Sequence, residues 1–135
     1  MLDTNVLVAA MRSRRGASFR IVSEIGRDRF ELVLSVPLVL EYEQALTSTR
    51  PPGVTLVDIE ALLDYLCSEA QLQEVFYLWR PHLSDPKDDL VLEAAVAGNC
   101  KAIVRHNRRH FEGARSFGIR ILSPAQFLGR LGVLS

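Results

Sequence analysis

Asp3 is an acid placed where a core strand hands over to an apolar helix. Met1-Leu2 runs into Asp3-Thr4-Asn5, and Val6-Leu7-Val8-Ala9-Ala10-Met11 follows. Burying a carboxylate at such a junction is costly unless a partner compensates the charge. Further acids stand at comparable places: Glu41 follows the apolar run Pro37-Leu38-Val39-Leu40, and Asp85, Asp88 and Asp89 precede Leu90-Val91-Leu92. Acids set repeatedly against apolar helix starts point to one shared cation pocket.

The order of elements supports that convergence. Asp3 to Met11 reads as a strand end turning into a helix, and Ser18 opens a second helix to about Gly26 with Phe19, Ile21, Val22 and Ile25 as its apolar stripe. Phe30-Glu31-Leu32-Val33-Leu34 reads as a strand. Ser35 suits an N-cap and Pro37 the first turn of a helix bearing Leu38, Glu41, Tyr42 and Ala45 on neighbouring positions. Arg50-Pro51-Pro52-Gly53 is a loop, and Asp58 to Glu69 an amphipathic helix on Ile59, Leu62, Leu63 and Leu66. Residues 71–84 carry the weakest pattern, with Val75 to Trp79 a short strand or a packed loop. Asp85 can cap a helix whose first residue is Pro86, and Leu92 and Ala95 place Asp88 on its packed face. Ala102-Ile103-Val104 and Gly118 to Leu122 read as strands, and Ser123-Pro124 opens a terminal helix through Phe127 and Leu131. Strands alternating with helices predict an α/β fold with a parallel sheet covered on both faces.

The 135 residues, 48% of them hydrophobic, fit a single domain over 1–135 that buries roughly two-thirds of its unfolded surface. Cys67 and Cys100 lack metal-site spacing and read as reduced thiols. With no apolar run of membrane-span length and no signal-peptide pattern, a cytoplasmic protein is expected. Sixteen basic and sixteen acidic residues cancel, which argues against a protein that coats nucleic acid. The distribution is uneven, however. Arg12, Arg14, Arg15 and Arg20 cluster without an acid, and Lys101, Arg105, Arg108, Arg109, Arg115 and Arg120 are opposed by Glu112 alone. Such segments either hold phosphates or are solvated faces.

In an open parallel sheet, sites gather beyond the carboxyl ends of the strands. Asp3 follows the first strand, Glu41 lies one turn into the helix after the second, Asp88 lies at a helix start and His106-Asn107 follows the Ile103-Val104 strand, so all four are expected to converge at one edge. Clustered carboxylates repel, and a hard divalent ion such as Mg2+ or Mn2+ is the natural cation for oxygen ligands. A water activated there can attack a phosphodiester.

These residues together resemble the PIN-domain metal-dependent ribonucleases, and particularly the branch of toxin components of bacterial toxin–antitoxin pairs. Leu-Asp-Thr-Asn-Val-Leu-Val at 2–8 is similar to the opening motif, Leu34-Ser35 followed by Glu41-Tyr42-Glu43 to the second, and Asp85-Pro86-Lys87-Asp88-Asp89 with Leu92 to Ala95 to the third. Ile103-Val104 with Asn107 and Phe111 sits where the fourth belongs. The resemblance implies a three-layer α/β/α fold with a central, mostly parallel sheet and cleavage of single-stranded RNA. It also implies a cognate antitoxin partner and a homodimer. By position it makes Asp3, Glu41 and Asp88 the catalytic, metal-binding acids, with Asp89 a further candidate ligand and Asn5 and Ser35 in support. Asn107 stands where much of the family carries an aspartate, so a second metal should bind weakly. The first strand is also very short, unless the recorded start lies downstream of the native one.

Each residue has a plainer alternative. Asp3 could be a helix cap, Glu41 an exposed helical residue, Asp85 a cap, and Glu43 solvated. His106 and His110 have helical zinc spacing but no third ligand. Arg105, Arg108 and Arg109 either contact substrate phosphates bidentately or form a solvated loop. An aspartyl phosphatase would need a proton donor where Asn5 stands, which lowers that rival. A PIN-like module with a degraded site, binding RNA or protein, remains the other alternative because of Asn107.

Overall fold

The computed structural model describes residues 1–27, 29–73, 91–92, 95–106 and 118–131. Expectations that fall on 74–90 and 107–117, including the Val75–Trp79 segment, the Asp85-Pro86 cap and Asp88, Asp89, Asn107, Arg108, Arg109 and His110, lie outside the described residues.

Helix α1 (Thr4–Arg12) begins directly after Asp3, and α2 (Ala17–Glu24) packs against it with Ile21 fully buried. The predicted strand at 30–34 shortens to β1 (Val33–Leu34). Ser35 then caps α3 (Val36–Ser48), its hydroxyl accepting from the Leu38 amide at 3.3 Å, with Pro37 in the first turn as expected. Helix α4 (Leu56–Glu69) starts two residues before the predicted Asp58. Thr55 is its cap, and Asp58 returns a bond to the Thr55 amide in a reciprocal capping box. The same bonds hold the Asp58 carboxyl below its ordinary range. Residues 91–92 and 95–97 are helical. The chain continues through β3 (Ala102–Val104) and β4 (Arg120–Leu122) to α5 (Pro124–Leu131).

Among the described residues all strand pairings are parallel, as the alternation of elements predicts. Strand β1 pairs with β2 (Gln71–Leu72), which the sequence did not show because both residues of β2 are exposed. Strand β3 pairs with β4, and Leu2 bridges in parallel to Val104, so the first strand is one bridge long. Leu2, Leu34, Ile103 and Val104 from these strands join Val6, Leu7, Leu38, Leu66 and Leu128 from the helices in one apolar core. Phe30 meets Phe127 of α5 edge to face, ring centres 5.1 Å apart, which ties the approach to β1 to the last helix. The fold is the α/β class predicted. Its consequence for function is that Asp3, Ser35 and Arg105 each stand just past the carboxyl end of a parallel strand segment.

Candidate functional site

The Leu2–Val104 pairing puts the residues that follow each partner side by side. The Asp3 amide donates to the Val104 carbonyl at 2.9 Å, and the Val104 amide donates to the Met1 carbonyl at 2.9 Å. Asp3 is only 6% exposed and Arg105 only 5%. Arg105 Nε lies 3.7 Å from Asp3 Oδ2, a buried ion pair at the strand end. Asp3 occupies the N-cap position of α1 with extended backbone, yet its side chain makes no capping bond. The plain reading of Asp3 as a helix cap is therefore not what its carboxylate does.

The second acid arrives from α3. The Thr4 hydroxyl, in the first turn of α1, donates to Glu41 Oε2 at 2.8 Å. Glu41 is half-buried, so this bond fixes a carboxylate that would otherwise sample rotamers in water. One residue on, the buried Tyr42 hydroxyl donates to the Leu2 carbonyl. Burial pushes the Tyr42 phenol well above its ordinary value, and the negative charges of Asp3 and Glu41 push it further. Two acids from separate elements thus act electrostatically on the same buried phenol. Thr4 and Tyr42 were missed as site residues by sequence reasoning, although Thr4 lies inside the Asp3-Thr4-Asn5 motif and Tyr42 beside Glu41.

The remaining candidates divide. Ser35 is buried, and its hydroxyl accepts from the Leu38 amide at the start of α3, the helix that carries Glu41. Asn5 is exposed on the first turn of α1. Arg105 is not in a solvated loop: its guanidinium is buried against Asp3. His106 is exposed and places Nε2 3.2 Å from the buried Ser18 Oγ, which docks the start of α2 beside the end of β3. Asp88, Asp89, Asn107, Arg108 and Arg109 lie outside the described residues, and among the described residues no three metal-binding side chains cluster.

Asp3 and Glu41 offer hard carboxylate oxygens at the carboxyl edge of a parallel sheet. That donor chemistry fits Mg2+ or Mn2+ and not a thiophilic ion. Acids at the carboxyl edge of the sheet of an α/β protein stand where such folds bind their ligands. The PIN domain family profile matches residues 1–109, and the chain belongs to that family. PIN domains are in general nucleases, which gives the class of activity. No curated protein matches the chain. Among the described residues no helix is long and apolar enough to cross a membrane.

Proposed function

We propose that this protein is an endoribonuclease that cleaves single-stranded RNA with Mg2+ or Mn2+, and that it serves as the toxin of a toxin–antitoxin pair. The reading rests on the family, and on one observation in particular: Thr4, the residue after Asp3, donates to the Glu41 carboxylate, and Tyr42, the residue after Glu41, donates to the carbonyl of Leu2, the residue before Asp3. Asp3 and Glu41 would hold the ion, with Asp88 as third ligand and Asp89 beside it. The ion would supply Lewis-acid polarisation of a phosphate oxygen and activation of the attacking water. Thr4 orients Glu41, Tyr42 keeps a neutral wall behind both acids, and Arg108 and Arg109 neutralise flanking phosphates. A single domain over 1–135, a homodimer, an antitoxin partner and a cytoplasmic location complete the proposal.

The test is cleavage of unstructured RNA with Mg2+, Mn2+ or chelator. Metal-dependent cleavage by the wild type that is lost in a folded Asp3→Asn variant supports the reading. Induced expression in bacteria should arrest growth with the wild type and not with the variant. A second reading, a binding module without cleavage, draws on Asn107 in the sequence and on the Arg105–Asp3 contact. RNA bound but left intact at saturating metal would select it.

A further inference from the structure

Helices α3 and α4 carry an apolar surface that the fold leaves to solvent. Val36 and Leu40 of α3 and Leu56 and Val57 at the start of α4 are each more than half exposed. A groove of about 570 Å3 opens between the two helices, with Val39, Leu56, Ile59 and Leu63 as its apolar lining. On the α4 side it reaches from Leu56 to Cys67, roughly 16 Å or about three helical turns. Glu43, Glu60 and Asp64 line it too, all three exposed and none ion-paired among the described residues. Among the described residues no lysine, arginine or histidine lines it. Glu60 and Asp64 stand four apart on one face of α4, a like-charge pair that weakens a helix until a cation relieves it. The groove is distinct from the candidate site, because Glu41 lies two residues beyond Val39, about 200° round α3.

We propose that the α3–α4 groove is the docking site of a partner protein's amphipathic helix, one whose apolar stripe is flanked by lysines and arginines. The apolar lining supplies area whose burial drives association, and the acids fix the sign of the charge that can flank it. A helix suits the groove because helices dock through side chains three and four apart, the spacing that Leu56, Ile59, Glu60, Leu63 and Asp64 themselves show. The same acids weigh against other occupants. RNA would bring phosphates against unpaired carboxylates. A second copy joined across a two-fold axis would set this acidic face on itself, since an isologous interface uses the same patch on both subunits.

The experiment follows the Ile, Leu and Val methyl resonances of the full chain while a synthetic amphipathic helix of leucines and lysines is added, and repeats it with a counterpart carrying glutamates for lysines. The lysine helix should shift the methyls of Val39, Leu56, Ile59 and Leu63, and the glutamate helix should not. Glu60→Lys combined with Asp64→Lys, both at exposed positions, should weaken the lysine helix on the order of tenfold by turning attraction into repulsion. Leu56→Ser should weaken it with the charges untouched. The proposal is overturned by no binding of the lysine helix, by equal binding of the two helices, by shifts confined to other methyls, or by an affinity unchanged in either variant. It is overturned as well if unstructured RNA shifts the same methyls, or if the wild type self-associates in sedimentation and the doubly charge-reversed variant does not, which would make a second copy the occupant. None of these measurements depends on RNA cleavage, so a failure here leaves the nuclease reading standing, and the reverse.

Discussion

Tyr42 is the residue in which fold and site meet. Its hydroxyl satisfies the Leu2 carbonyl in the core and lies in the field of Asp3 and Glu41. Tyr42→Phe should cost about 1–3 kcal/mol, the usual result of leaving a buried carbonyl unpaired, measurable by urea denaturation. The unfolded phenol ionises near pH 10.0 and the folded one well above it, so above that pH the unfolded state binds fewer protons and stability falls as pH rises. The variant lacks this dependence. The stability gap between wild type and Tyr42→Phe should hold constant below the unfolded value and narrow above it; a gap that stays constant throughout would mean the phenol is not shielded. Thr4 makes a different kind of contribution, since its hydroxyl only aims Glu41. Thr4→Val should weaken Mn2+ binding by about tenfold through loss of that orientation, while the fold remains intact by circular dichroism.

Elements meet where α2 ends against α4. Gly26 takes φ +84°, and a Cβ there would come within 3.0 Å of the Glu69 carboxylate and the Tyr65 hydroxyl, which itself donates to the Ile25 carbonyl. Gly26→Ala should therefore destabilise the protein by about 1–2 kcal/mol from backbone conformation alone, read as a lower urea midpoint with unchanged slope. RNA cleavage per folded molecule should not change, because the atoms nearest Gly26 belong to Glu69 and Tyr65 and not to either acid of the candidate site. Caps and periodicity made most helices legible in the sequence. Ser35 with Pro37 marked α3, and Ser123 before Pro124 marked α5, where the Ser123 amide donates to the Gln126 side-chain oxygen and the Gln126 amide to the Ser123 hydroxyl. The start of α4 was misplaced because Asp58 looks like a cap when it is the returning member of the Thr55 box. Strands were harder, since β1 and β2 are two residues each and β2 has no apolar face. At the site, acids at strand ends were visible as a pattern. The Thr4–Glu41 and Arg105–Asp3 contacts were not, because they depend on which strands are neighbours.

The whole molecule carries no net formal charge, so the RNA affinity that the proposal requires would have to come from local fields and not from the sum. On the proposed reading, metal would add to the stability of the whole fold by mass action. Mn2+ at about a hundred times its dissociation constant should stabilise the wild type by roughly 2.7 kcal/mol, and Asp3→Asn should show little of that shift in melting temperature. If the protein acts on RNA as proposed, the fold singles out which basic residues would meet it. The Ser18–His106 contact brings the start of α2 to the end of β3, and with it the exposed Arg14 and Arg15 that precede α2. Arg105, by contrast, is buried on Asp3. Each phosphate neutralised on single-stranded RNA contributes roughly 0.7 to the slope of log affinity against log salt. In chelator, where binding is seen without cleavage, Arg14→Ala or Arg15→Ala should flatten that slope by about this amount, as should Arg108→Ala or Arg109→Ala. Arg105→Gln should leave it unchanged. A slope equally reduced at Arg105 would show that its guanidinium leaves Asp3 for the substrate, and that the pair seen here opens when RNA binds.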